Sequence, residues 1–283
     1  MVVQDGDCSG ALDELQAVDD PRIVVTRPDA PSRDAGSTSR NTGIRAATST
    51  WVAFLDDDDE WLPHKLRDQF AMINGLDPAH EVLVAGRVER QTEKETDVWP
   101  IRTIGIDERV GDYLFVRRAP GEGWLPTPTL LTRRRTALAH PFTEGIAVHE
   151  DLDWLLKLER SGVRFLVADS VVAVVHATSS DSLSTRSTWR QSLQWATDHR
   201  RELGPRAFSA FCLTEVSRTA SAEPSWSTFA TILSTSLSGR VRVRDVAQHV
   251  ANMAIAGRLR ERLRSRRRRR ADRVTDPAGS AGR

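Results

Sequence analysis

The sequence has few cysteines, few lysines and no long hydrophobic run. Its longest apolar stretch, VVAVVHA at 171–177, is far shorter than the ~20 residues of a membrane-spanning helix, so neither such a helix nor a secretory signal is predicted. The two cysteines, Cys8 and Cys212, offer neither a disulfide framework nor a metal-ligand spacing, which fits a reducing cytosol. Because the sequence predicts neither a membrane-spanning helix nor a secretory signal, and its cysteines fit a reducing cytosol, we expect a cytoplasmic protein. The three lysines against 37 arginines indicate a GC-rich bacterial genome.

Basic residues are concentrated near the C-terminal end. Formal net charge is +1 over 283 residues, but residues 258–273 hold ten arginines against Glu261 and Asp272, a local charge of +8. Such an arm could contact an anionic surface at the inner face of a membrane, or serve only as an unstructured solubilising tail. No recognition motif accompanies the arginines, so nucleic acid is not an expected partner.

Against this background the acidic run in FLDDDDEWLP, residues 54–63, is unusual. Neighbouring carboxylates ~4 Å apart repel by roughly 4 kcal/mol at the effective dielectric of a protein surface. The run could be a solvated loop or the start of a helix, where carboxylates interact favourably with the exposed backbone amides of the first turn. Alternatively it binds a divalent cation, since Mg²⁺ and Mn²⁺ prefer oxygen ligands.

The surrounding pattern predicts an α/β domain. Short β-type runs alternate with helical ones over the first half, which is typical of a mostly parallel, Rossmann-like sheet flanked by helices. WVAFL ends on the aspartates, and ligands bind beyond the carboxyl ends of such strands, which favours the cation site. We predict a helix over 60–73, a domain over 1–186, a helical appendage over 187–264 and a basic disordered tail over 265–283.

Three further stretches place polar groups at the ends of elements. VVQDGD puts Asp5 at a strand end before a glycine, which allows a close approach to a ligand. GSTSRNTGIRAA puts Arg40 and Asn41 at a helix entry, where a guanidinium and free amides suit a phosphate or nucleobase oxygen. HEDLDW puts Glu150 and Asp151 at the start of another helix.

Together these stretches resemble the family 2 glycosyltransferases of the GT-A fold. The similarity rests on VVQDGD, SRNTGIRAATSTWVAFLDDDDEWLPHKL, PFTEGIAVHEDLDWLLKL and VVHATSSDSLS, and it extends over about residues 2–185. It implies a metal-dependent inverting transfer of sugar from a nucleoside-diphosphate sugar to an acceptor hydroxyl. It also implies a GT-A domain, followed here by a C-terminal helical region.

The resemblance further implies roles for particular residues. Asp56 and Asp58 match the Asp-x-Asp motif, with Asp58 as the principal ligand of Mn²⁺ or Mg²⁺, and Asp57 lies near the ribose or the metal. Asp151 matches the general base that takes the acceptor's proton, and Glu150 positions the base or the acceptor. The cation stabilises charge on the departing nucleoside diphosphate.

Four side chains have weaker assignments. His176 matches a histidine near the metal or diphosphate, or is simply a polar strand end. Trp154 either offers a sugar-stacking face to the acceptor or belongs to the core. Arg40 is expected to contact the donor, with a surface ion pair as the alternative, and Asp5 to contact the nucleobase. His64 and Lys65 are expected to be solvated.

The sequence also departs from the family. Members begin with a strand and helix before VVQDGD, whereas this chain starts inside the second strand. We expect a shortened reading of the gene, the alternative being a domain that lacks this central strand. Gln4 replaces an aspartate, so uridine is not specified. No QxxRW signature of processive synthases is present, which favours addition of a single sugar. A non-catalytic nucleotide-sugar-binding scaffold remains an alternative. A haloacid-dehalogenase-type phosphatase is disfavoured, because Glu60 stands where threonine or valine is required.

Overall fold

The structure is a computed structural model that describes residues 1–6, 14–15, 17–18, 20–32, 34–93, 95–177 and 188–254. Its strands are β1 (Val2–Val3), β2 (Val25–Thr26), β3 (Trp51–Ala53), β4 (Asp59–Trp61), β5 (Val82–Gln91), β6 (Thr96–Trp99), β7 (Leu131–Arg133) and β8 (Arg164–His176). β1 and β2 form a small sheet. The others form a six-stranded sheet in the order β3-β7-β5-β8-β4, with β6 paired to the second half of β5.

Among the described residues, the helices around the sheets include α1 (Ser37–Ala46), α2 (Lys65–Ile73), α3 (Val110–Phe115), α4 (Arg134–Ala139) and α5 (Glu150–Arg160). The C-terminal part is helical and comprises α6 (Trp189–Asp198), α7 (Arg200–Phe211), α8 (Ser217–Ala220), α9 (Trp226–Ser236) and α10 (243–254). A 3₁₀ turn at Thr127–Thr129 precedes β7, and a π-helical turn at Cys212–Val216 joins α7 to α8. None of the helices among the described residues is both long enough and apolar enough to span a membrane.

The parallel pair of β5 and β8 lies at the centre of the large sheet. The first half of β5 is almost wholly buried because its residues are small or branched apolar ones, and Val84 has no exposed surface. Gly86 marks a shift in the register of this pair. A Cβ at Gly86 would lie 2.6 Å from a methyl group of Val172, so only glycine allows the strands to approach so closely here.

One hydrophobic cluster extends through the sheet layer and the C-terminal helices. It includes Leu83 of β5, Trp154 of α5, Trp195 of α6 and Phe208 of α7. The C-terminal helices therefore share one hydrophobic core with α5 and the sheet, and the two parts of the chain stabilise each other.

The expected α/β architecture with helices at the C-terminal end is confirmed, with two corrections. The described strand pairs are mixed rather than mostly parallel: β1–β2 and β5–β8 are parallel, while β3–β7, β7–β5, β5–β6 and β4–β8 are antiparallel. The helix predicted over 60–73 begins at Lys65, because Asp59–Trp61 pair with β8 instead. The predicted tail over 265–283 and the boundary at 186/187 lie outside the described residues, so they stay predictions.

Candidate donor and catalytic site

The acidic run forms the connection between β3 and β4. The chain leaves β3 at Ala53, Asp57 and Asp58 occupy an exposed turn, and Asp59 enters β4 with its amide donating to the Asp56 carbonyl over 3.3 Å. The run is therefore not the start of a helix. Among the described residues, Asp57 and Asp58 have no hydrogen-bond or ion-pair partner.

Arg40 of α1 joins this run to the start of α5. Its guanidinium donates to Asp56 over 3.1 Å and to Glu150 over 3.0 Å, and its exposed fraction is 17%. The same group lies 5.6 Å from the centre of the Phe142 ring. Arg40 thus brings two acidic segments of the sequence together in one place.

The backbone of α1 leaves room for this guanidinium. Gly36, just before the helix, has a φ of 102°, and a Cβ there would lie 3.1 Å from an Arg40 nitrogen. Asn41 is turned away and fixed: its amide donates to the Phe142 carbonyl over 2.9 Å and accepts from the Phe142 amide over 2.9 Å. Asn41 therefore holds the segment around Phe142 against α1, and its side chain is not free to contact a phosphate.

Burial makes the carboxylates of this site reluctant to ionise. Burial, reinforced by the neighbouring Asp151, raises the pKa of Glu150 to about 7, against the opposing effect of Arg40. Burial also raises the pKa of Asp56, although Arg40 acts in the other direction. The pKa of Asp59 rises to about 6 for the same main reason. The site therefore gathers more acidic groups than Arg40 can balance, and a bound cation would favour their ionised forms.

Asp151 lies beside Glu150 on the first turn of α5. It is partly exposed, and its carboxylate accepts from the Leu152 amide over 2.7 Å. The preceding residue, His149, has a φ of 62° and so turns the chain sharply into the helix. Asp151 is thus beside the Arg40 bridge and open to solvent.

Asp5 lies at the end of β1, linked to the same helix α1. Its carboxylate accepts from the Ser32 amide over 2.9 Å, from the Ser32 hydroxyl, and from the Ser39 hydroxyl over 2.5 Å. Burial opposes them, but these hydrogen bonds hold the pKa of Asp5 below its usual value. Since Ser39 immediately precedes Arg40, Asp5 is bonded to the same turn of α1 that carries the bridge.

The structure decides several other assignments. Trp154 has no exposed surface; its indole donates to the His140 carbonyl over 2.7 Å and its ring stacks on Phe142 at 4.3 Å. It therefore offers no face to an acceptor, and the assignment as a sugar-stacking residue is wrong. His176 lies at the end of β8, where its ring is 3.0 Å from a Glu60 carboxylate oxygen and its amide donates to Asp59 over 3.1 Å. This places it next to the acidic run.

Among known protein families, residues 1–141 match the family model "Glycosyl transferase family 2". The chain belongs to this family. It is 29% identical over 144 residues to the amylovoran biosynthesis glycosyltransferase AmsB of Erwinia amylovora, covering 50% of this chain and 46% of AmsB. It is 37% identical over 70 residues to the putative colanic acid biosynthesis glycosyl transferase WcaA of Escherichia coli K12, covering 23% of this chain and 24% of WcaA.

This family 2 chain thus spans less than half the length of these curated relatives. Its fold resembles the crystal structure of S. aureus TarS 1-349, with a TM-score of 0.56 and 16% identity, over 88% of this chain and 70% of that one. The expected GT-A fold is confirmed.

Two features of this family 2 chain, the burial of Lys65 and the backbone of His149, were not predicted from the sequence. Lys65, expected in solvent, is 1% exposed, and its ammonium donates to Gln69 over 2.5 Å and to the Thr129 carbonyl over 3.1 Å. Its burial lowers the pKa of Lys65 to about 7. Lys65 and Gln69 are four residues apart and so share one helix face, but this spacing does not tell a buried face from an exposed one. The second feature, His149, gave no signal, because its backbone conformation depends on distant helices.

Proposed function

We propose that the protein is a metal-dependent, inverting glycosyltransferase that moves one sugar from a nucleoside-diphosphate sugar to an acceptor hydroxyl in polysaccharide biosynthesis. The observation that carries this proposal is the pair of contacts from Arg40 to Asp56 and Glu150. They bring the acidic turn, whose carboxylates are the ligands that a divalent cation prefers, beside Glu150 and the partly exposed Asp151. Sugar transfer requires these two functions side by side.

The acidic turn fits a divalent cation. Asp58 is exposed and has no hydrogen-bond or ion-pair partner in the described part of the chain, and Asp56 lies two positions before it. Mg²⁺ is usually held by one or two carboxylates together with substrate phosphates, so two aspartates suffice. When bound, Mn²⁺ or Mg²⁺ would stabilise the negative charge of the departing nucleoside diphosphate. His176, beside this turn, is a further candidate ligand.

Donor contacts follow from the same arrangement. Asp57 projects from the exposed turn and is suited to a ribose hydroxyl, and Asp5, near α1, to the nucleobase. Arg40 holds Asp56 and Glu150 in place through its two terminal nitrogens, so a contact from Arg40 to the donor would use one of the remaining N–H groups of the guanidinium. Its first role is therefore organisation of the two acidic segments.

Asp151 is proposed as the general base. Its partly exposed carboxylate would take the proton of the acceptor hydroxyl as that oxygen attacks the anomeric carbon, which typically contributes 10² to 10⁴ in rate, an order-of-magnitude range. Attack from the face opposite the leaving group inverts the anomeric configuration. Glu150, held by Arg40 at 3.0 Å, orients the base or the acceptor.

The choice of pathway is supported by the relatives. AmsB and WcaA are named for the biosynthesis of amylovoran and of colanic acid. The lack of a processive-synthase motif supports addition of a single sugar. An anionic membrane surface, contacted through the basic tail, is the proposed location of the acceptor.

The test is nucleotide binding followed by transfer. Thermal unfolding is measured with UDP, GDP and dTDP, each with and without Mn²⁺, and a ligand at a hundred times its Kd raises stability by about 2.7 kcal/mol. The nucleotide that binds defines a panel of its sugar conjugates for transfer to acceptor glycans. A Mn²⁺-dependent shift and an inverted product are expected. Binding without transfer from any conjugate would favour the scaffold alternative.

A further inference from the structure

The residue before the acidic pair has an unusual backbone. His149 has φ 62° and ψ 32°, and among the described residues it is the one non-glycine position with positive φ. Outside glycine this left-handed conformation is sterically strained, so other contacts must stabilise it. It also directs the chain so that Glu150 and Asp151 begin α5.

The contacts that hold His149 come from the C-terminal helices. Its Nε2 lies 2.9 Å from the hydroxyl oxygen of Ser192 on α6, a hydrogen bond. Its ring packs against Trp195 of α6 at 5.0 Å and against Phe211 of α7 at 5.2 Å. Ser192 is 1% exposed and Phe211 fully buried, so water does not compete for these contacts.

The same helices hold α5 again one turn later. His199 also stacks on Trp195, at 4.7 Å, and its Nε2 lies 2.9 Å from a carboxylate oxygen of Asp153. The Asp153 amide donates to the His149 carbonyl over 2.9 Å, which closes the first turn of α5. The first turn is thus fixed from behind at 149 and 153, while Arg40 holds Glu150 from the front.

We propose that His149 is a positioning residue through which the C-terminal helices set the placement of Glu150 and Asp151. The inference rests on the proposed function of that pair. A rotation at residue 149 displaces both carboxylates, and a misplacement of about 1 Å can cost 10²-fold in rate. The helices therefore contribute to catalysis without touching the substrates.

The test compares the partly buried His149 with the fully buried His249. His149→Asn keeps a residue that tolerates the left-handed conformation but removes the ring contacts. His249 is the matched control: it is fully buried, lies 2.8 Å from the Ser217 hydroxyl and stacks on Phe229 at 4.4 Å, all within the C-terminal helices. We expect His149→Asn to lower kcat about 10- to 100-fold with donor KM within about twofold. We expect His249→Asn to lose Tm without a fall in kcat.

Coupling to α6 is tested with Ser192→Ala. Combined with His149→Asn, it is expected to add no further loss of kcat, because the hydrogen bond is already absent. A His149→Asn enzyme with kcat within twofold of wild type, or an equal fall in His249→Asn, overturns the proposal. Fully additive losses from Ser192→Ala and His149→Asn also overturn it.

A second readout is independent of activity. Hydrogen exchange of the Asp153 amide, which donates to the His149 carbonyl, is expected to rise about tenfold or more in His149→Asn and not in His249→Asn, since local opening governs exchange. If wild type transfers no sugar, the proposed function fails, yet this exchange measurement still decides the role of His149. Unchanged exchange in His149→Asn would refute it.

Discussion

The guanidinium of Arg40 donates to a carboxylate oxygen of Glu150 over 3.0 Å, although 110 positions separate the two residues. The same guanidinium bonds Asp56. Because a single planar cation serves both carboxylates, the donor side and the acceptor side of the proposed site have a common anchor. Loss of this cation leaves two partly buried carboxylates without their counter-charge.

Arg40→Met is therefore expected to reduce kcat/KM severely and to destabilise the fold by less than the roughly 3–5 kcal/mol typical of a fully buried ion pair, because the Asp56 side chain is 32% exposed. Arg40→Lys keeps the charge but cannot bridge two carboxylates in the same way, so a large activity loss with a smaller loss of stability is expected. Transfer kinetics and chemical denaturation measure the two effects.

Arg45→Met on the same helix is the control for Arg40. Arg45 is 59% exposed and lies 3.7 Å from Glu144, a pair that contributes roughly 0–1 kcal/mol. Activity equal to wild type is expected. If Arg40→Met behaves like Arg45→Met, Arg40 does not organise the site.

Asp58→Ala and Asp151→Asn are expected to fail at different steps. Asp58→Ala should lose the Mn²⁺-dependent stabilisation by nucleotide, because Asp58 is the proposed principal ligand. Asp151→Asn should keep nucleotide binding and lose transfer by about 10² to 10⁴, the usual contribution of a general base. Titration calorimetry and product formation separate the steps. Equal loss of nucleotide binding in both folded variants would contradict the assigned roles.

Local signals in the sequence were sufficient to predict the acidic turn and the α/β class. The alternation of apolar runs and helical patterns is a local property, and the Asp56–Asp59 run follows an apolar strand. The burial of Trp154 and Lys65 could not be predicted in this way, because it depends on the Phe142 and Thr129 segments that fold over them. An amphipathic helix with a tryptophan fits a core residue and a binding residue equally well.

Trp154→Phe tests the corrected assignment. Phenylalanine keeps an aromatic ring against Phe142 but leaves the His140 carbonyl without its indole donor, so a loss of about 1–3 kcal/mol in the free energy of unfolding is expected. Acceptor KM should not change, because Trp154 has no exposed surface. Acceptor-saturation kinetics check this. An acceptor KM raised severalfold would restore Trp154 as a binding residue.

Lys65 gives the clearest expectation for the pH dependence of stability. Its pKa falls from 10.5 in the unfolded chain to about 7 in the fold. Between these values the unfolded chain binds one proton more than the folded chain, so the free energy of unfolding rises with pH from about 7 to 10.5. Below pH 7 the full cost of the buried charge remains.

Lys65→Met removes this titration and keeps an unbranched side chain of similar length. Relative to wild type, the variant should therefore lose stability steadily as pH rises from 7 to 10, by a few kcal/mol in total at ~1.4 kcal/mol per pKa unit. Urea denaturation at pH 7, 8.5 and 10 measures the difference. Leu66→Met, an exposed change in the same helix, should give a curve parallel to wild type. If the Lys65→Met curve is also parallel, Lys65 remains charged in the fold, held by Gln69 and the Thr129 carbonyl.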